Sequence, residues 1–137
     1  MAEDGLAYVL DTDTVSYLLR GNTGAIEGMR TATLQRAKIY LCPVVWFEIR
    51  RGLLQRDANR QLQVFERFAS LLEWRDLDRR FWDDLSAAWA RSRRKGRPVQ
   101  DSDLMIATFA QRLGAIVVTH NVSHFVLTGV ATVDWCS

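Results

Sequence analysis

The chain has 137 residues, 48% of them hydrophobic and 25% charged, with a net charge of +2. This is enough for one folded domain over 1–137, with no apolar run near the ~18–20 residues that span a bilayer. The first residues lack a secretory leader's basic-then-apolar pattern, and two unpatterned cysteines, Cys42 and Cys136, form neither a disulfide framework nor a zinc site, so a cytoplasmic protein without a membrane role is expected.

Leu6 to Leu10 is a short apolar run that stops at Asp11, the pattern of a strand buried on both faces. A brief helix is predicted from Thr14 to Leu19, closed by Arg20-Gly21-Asn22, and a second from Thr23 to Gln35. Lys38 to Leu41 reads as the next strand. Pro43 then opens a helix at its favoured first-turn position, carrying Val44, Val45, Phe47, Glu48, Ile49 and Leu53. Asn59 to Leu72 has one apolar stripe at helical spacing, and Glu73 to Leu77 reads as a short edge strand. Asp78 caps a helix running to about Arg94, with Phe81, Leu85, Ala88 and Trp89 facing inward. Ser102 to Leu113 is a further helix, ended by Gly114. Ala115 to Val118 is the clearest strand. Thr119 to Phe125 reads as a turn or single helical turn, and Ala131 to Val133 as a last strand.

Alternating strands and helices imply crossover connections, hence a mostly parallel sheet with helices on both faces. The predicted fold is a three-layer α/β/α sandwich. In such sheets ligands bind beyond the carboxyl ends of the strands. Asp11 ends the first strand, Glu48 follows the second, Asp103 starts the helix leading to the strongest strand, and Thr119 and Asn121 follow that strand. These polar groups can therefore converge.

Three acids brought together without a counter-ion raise one another's pKa and stabilise nothing. A hard divalent cation takes oxygen ligands and keeps several waters, so a few carboxylates suffice to hold it. Plainer readings exist for each. Asp11 can be the cap of the next helix. Asp13 reads as a local cap or a group supporting the others. Glu48 can be a helix-face glutamate paired with Arg51. Asp101 and Asp103 compete for one role: Asp101 looks like the N-cap, while Asp103 sits in the first turn, where the helix dipole favours an anion. No role is assigned to His120 or His124, and the five tryptophans read as core or interface.

Of 18 basic residues only Lys38 and Lys95 are lysine. Arginine's planar fork grips phosphate through two bonds at once, which lysine cannot do. Arg91, Arg93, Arg94, Lys95 and Arg97 crowd the end of one predicted helix. They serve either as a solvated helix terminus or, with Arg50, as a nucleic-acid contact.

Taken together, Tyr8-Val9-Leu10-Asp11-Thr12-Asp13, Val45-Trp46-Phe47-Glu48-Ile49-Arg50-Arg51-Gly52, Asp103-Leu104-Met105-Ile106-Ala107 and Val117-Val118-Thr119-His120-Asn121 through Phe125 resemble the PIN domain, most closely its VapC-type toxins. The resemblance covers nearly the whole chain. It implies Mg²⁺- or Mn²⁺-dependent cleavage of RNA by an endoribonuclease, dimerisation, and inhibition by a cognate antitoxin. Asp11, Glu48 and Asp103 match the family's three main acids. Its frequent fourth acidic position falls on Asn121, an amide that can still accept a bond from a metal-bound water. One charge is thereby lost, which points to a single ion. Asp13 stands where the family commonly has asparagine, and His124 where an acid is frequent.

Two other readings fit part of the pattern. Asp11-Thr12-Asp13-Thr14-Val15 matches the opening of a haloacid-dehalogenase-type phosphatase, with Asp11 as nucleophile and Asp13 as acid and base. That chemistry also needs a lysine and a later acidic pair after a strand. The loss of charge at Asn121 alternatively suits a PIN-fold module that binds without catalysis.

Overall fold

The computed structural model describes residues 5–96 and 98–136. Its parallel strands are β1 (Ala7–Leu10), β2 (Lys38–Leu41), β3 (Glu73–Trp74), β4 (Ile116–Val118) and β5 (Thr132–Val133), ordered β3-β2-β1-β4-β5. Between them run α1 (Thr12–Leu19), α2 (Thr23–Leu34), α3 (Pro43–Gln55), α4 (Asn59–Ala69), α5 (Arg79–Arg94) and α6 (Asp101–Leu113), with 3₁₀ turns at Val122–His124 and Val126–Thr128.

The chain steps outward from β1 to β2 to β3, then crosses back past β1 to β4. With right-handed crossovers, that reversal places α1–α4 and α5–α6 on opposite faces, the three-layer arrangement expected from the sequence. The pleat agrees. Tyr40, level with Val9, packs edge-on against Phe109 of α6. Tyr8, one residue along and so on the other face, packs against Trp135. Both faces bury apolar side chains: Val9, Leu10, Leu41, Val117 and Val118 are at most 1% exposed. This is why the strands read as continuous apolar runs.

Three expectations shift. The edge strand stops at Trp74 instead of Leu77, because Trp74 pairs with Leu41, the last residue of β2, and Cys42-Pro43 then turn into α3. The ladder has no partner beyond that point, and Pro43 has no N–H to give. The helix predicted to reach Leu72 stops at Ala69 and is continued by tighter turns, Leu71 N–H to Phe68 C=O and Leu72 N–H to Ala69 C=O. Trp89, expected inward, is 43% exposed with Arg93 over its ring at 4.6 Å. Phe81 is the only residue of α5 that is fully buried, so the helix packs by a narrow stripe and Trp89 lies at its edge.

Candidate active site

Four acids come to one place at the carboxyl ends of β1 and β4. Asp11, Asp13, Glu48 and Asp103 line a cavity of about 220 Å³, together with Thr12, Ser102, Asn121 and His124. Among the described residues no lysine or arginine lines it.

Asp11 continues the sheet by one rung, its N–H bonding to Val118 C=O at 3.1 Å. Its Oδ1 accepts the N–H of Thr14 at 2.8 Å, so it is also the N-cap of α1. The capping and functional readings are thus both satisfied by one side chain. The Thr119 hydroxyl holds the same carboxylate, and the Thr14 hydroxyl locks the turn through Val118 C=O at 3.0 Å. Asp11 is only 5% exposed. Burial raises its pKa, against the opposing pull of these hydrogen bonds.

Glu48 lies on α3, where its Oε1 accepts a 2.6 Å bond from the Thr12 hydroxyl. Its Oε2 is 4.0 Å from Arg51, whose side chain is 60% exposed. The expected helix-face pair therefore exists, but solvent weakens it. Thr12 fixes the glutamate instead.

Asp103 projects from the first turn of α6 with 19% of its side chain exposed. Its pKa is raised, first by burial and then by the charges of Asp11, Glu48 and Asp13, while His124 at 3.6 Å pulls the other way. Asp13 sits at the mouth, where its Oδ2 accepts a 2.6 Å bond from the Asn121 side-chain amide. The Asn121 N–H in turn bonds to the Thr119 hydroxyl at 2.9 Å.

Asp101 is not part of this group. The N-cap of α6 is Gln100, without a side-chain cap bond, and Asp101 faces the neighbouring apolar grooves beside Met105. Residues two apart on a helix point ~200° apart, so Asp101 and Asp103 cannot share a target. The basic residues are also divided. Arg91, Arg93, Arg94 and Lys95 are exposed at the end of α5 and none lines the acidic cavity, while Arg97 lies outside the described residues. Arg50 instead bridges α3 and α4, 3.4 Å from Glu66 and over the Trp46 ring at 5.7 Å. It is half-buried between the two helices.

Thr12 was not singled out from the sequence, and His124 was given no role. The only signal for Thr12 is its place between two acids at a helix start. His124 comes within reach of Asp103 only because the turn after β4 folds back over α6.

The acidic donors are all hard oxygen, and the repulsion felt at Asp103 is opposed among the described residues by His124, a half-exposed imidazole. Among the described residues no three acidic, histidine or cysteine side chains stand close enough to cage an ion directly. The cavity instead leaves room for several waters at ~30 Å³ each, which suits a divalent cation that keeps part of its hydration. Asp11, Glu48 and Asp103 are the groups able to hold one. Cys42, its thiol pushed up to about 12 by burial, stays neutral. Neither Lys38 nor Lys95 lines the cavity, which removes the lysine that a phosphatase of the haloacid-dehalogenase type would need.

The PIN domain family model matches residues 8–125. The chain is 31% identical over 133 residues to the tRNA(fMet)-specific endonuclease VapC of Salmonella typhimurium, covering 96% of this chain and 99% of that one. It is 26% identical over 137 residues to ribonuclease VapC1 of Haemophilus influenzae, covering 95% and 98%. A solved DNA-bound VapBC from Salmonella typhimurium superposes with a TM-score of 0.86 at 30% identity, over 96% of this chain and 99% of that one. The chain, with its acids gathered where the strands end, belongs to the PIN domain family and to its VapC-type branch.

Proposed function

We propose that this chain is an endoribonuclease, the toxin of a type II toxin–antitoxin pair, cleaving RNA phosphodiesters with a carboxylate-held Mg²⁺ or Mn²⁺. The observation that supports this most is the cavity shared by Asp11, Asp13, Glu48 and Asp103, with no lysine or arginine among the described residues of its wall. The curated relatives are named as endonucleases and ribonucleases, and the solved relatives include toxin–antitoxin complexes.

Asp11, Glu48 and Asp103 would hold the cation, which when bound supplies an activated water and neutralises charge on the phosphate. The chain's own part is positioning. Thr119 and the Thr14 N–H fix Asp11, Thr12 fixes Glu48, and His124 faces Asp103. Asn121 orients Asp13 at the mouth, where RNA enters. Arginines at the end of α5 hold flanking phosphates through forked bonds. A cognate antitoxin represses the enzyme in the cytoplasm, where two copies of the chain pair.

Purified protein incubated with total RNA and with tRNA(fMet) tests this. Cleavage that stops with EDTA, and is absent in folded Asp103→Asn, is the expected result. Full cleavage by folded Asp103→Asn would overturn it.

A further inference from the structure

On the far side of α6 from the acidic cavity lies a second, oppositely charged hollow. A pocket of about 70 Å³ between α5, α6 and the Val126–Thr128 turn is lined by Arg91 and Lys95 together with Thr108, Gln111 and Thr128. No acid lines it. It shares Arg91, Thr108 and Gln111 with a trough of about 340 Å³, where Asp84, the acid among the described lining residues, is bound to Arg112 at 2.7 Å. Neither Arg91 nor Lys95 forms an ion pair with a described residue.

Four residues apart on one helix, Arg91 and Lys95 are neighbours whose like charges repel. No acid among the described residues of the hollow offsets that repulsion. The wall between them carries a further unmet demand: Thr108 is 4% exposed and its hydroxyl has no hydrogen-bond partner. A polar, acid-free hollow with two unpaired cations is built for an anion with several acceptor oxygens, and a phosphate satisfies that description.

Its position specifies which phosphate. Val99 lines this pocket while the adjacent Gln100 lines the acidic cavity. On the other flank Leu127 lines the pocket and His124 the cavity. Consecutive residues of the chain, Val99 and Gln100, thus line a site for a neighbouring phosphate and the site for the scissile bond. We infer that the α5–α6 hollow, through Arg91 and Lys95, is a phosphate-binding subsite that seats the RNA backbone beyond the acidic cavity. This rests on the ribonuclease reading and adds to it the location of the backbone contact.

The test is binding, not cleavage. Fluorescence anisotropy of a labelled single-stranded RNA is followed in EDTA, in an Asp103→Asn background, across a salt series. Arg91→Ser/Lys95→Ser is compared with Arg79→Ser/Arg80→Ser, which removes the same charge from the other end of α5. The hollow variant is expected to bind about tenfold more weakly than the control. Its slope of log K against log salt should shrink by about 1.4, two cations at ~0.7 each. Arg91→Gln/Lys95→Gln should behave alike, with circular dichroism and melting unchanged.

Equal affinity in the hollow and control variants would overturn the subsite while leaving the enzyme reading intact. So would unchanged RNA binding with lost antitoxin binding, which would give the hollow to a protein partner. Tight saturation by inorganic phosphate alone, with RNA unable to compete, would also overturn it. A wild-type protein that neither binds nor cuts RNA defeats the underlying reading instead.

Discussion

The Asp13 carboxylate accepts a 2.6 Å bond from the side-chain amide of Asn121, joining the start of α1 to the turn after β4. The resemblance read from the sequence implies asparagine at the first position and an acid at the second. In this chain the two have changed places across a direct contact. The charge absent from Asn121 is therefore present on Asp13, which lines the same cavity.

Asn121→Asp would set two carboxylates at that contact and lose the hydrogen bond. Melting in EDTA should fall by roughly 3 °C, the equivalent of about 1 kcal/mol. The double variant Asp13→Asn/Asn121→Asp reverses the polarity of the pair and should melt close to wild type. Independent, additive effects of the two substitutions would mean that the contact does not form in solution.

Asp103→Asn removes a carboxylate that its neighbours already repel. Cleavage should drop by roughly 100-fold or more, while the metal-free protein melts higher than wild type. Lower stability with EDTA present would show that Asp103 has a structural role instead.

The pH dependence has a definite sign. Asp11 and Asp103 both titrate above their ordinary value of 3.8 in the folded protein, burial being the main cause. Between the unfolded and folded values the native state binds more protons, so stability falls as pH rises through that window. In EDTA the wild type should lose melting temperature from about pH 4 upward more steeply than Asp103→Asn. Adding Mg²⁺ should flatten the wild-type curve. A parallel decline in both proteins would remove Asp103 as a source.

Thr12→Val keeps the shape of the side chain and deletes the 2.6 Å bond to Glu48. Activity should fall by roughly tenfold through the loosened glutamate, with stability changed by about 1 kcal/mol at most. Thr12→Ser should retain activity. Indifference of the rate to Thr12→Val would show that Glu48 needs no anchor.

Away from the cavity, the ring of Trp135 lies directly on Gly28 of α2. A Cβ built there falls 2.3 Å from Trp135 Cγ, and the indole also packs on Tyr8 at 5.4 Å. Gly28→Ala improves helix propensity by ~1 kcal/mol, yet overpacking should outweigh it and cost about 1–3 kcal/mol net. Denaturant unfolding followed by tryptophan fluorescence reads the loss directly.

The sheet was legible because its strands are apolar on both faces, and Asp11 because it ends such a run. Glu48 and Asp103 were legible as acids on helices next to strand ends, where the parallel topology brings them together. The short edge strand was over-extended because its length depends on where β2 turns into α3, a fact about its partner. Asp101 was ambiguous on the page and is settled by helical twist, which separates it from Asp103. Thr12 and the hollow between α5 and α6 were out of reach, since they depend on contacts 36 residues apart or more in one case and on a packing gap in the other. The stacking of Arg50 on Trp46 was not legible either, because an arginine that packs in a helix interface looks in sequence like one that faces solvent.

The oxygen of Asp11 that anchors the first turn of α1 belongs to the group best placed to share an ion. Folding and chemistry are therefore welded together at that residue. An alanine there would blunt both at once, so a dead Asp11 variant is ambiguous evidence about catalysis. A quiet, well-folded binder is reached more directly through Asp103, which caps no helix.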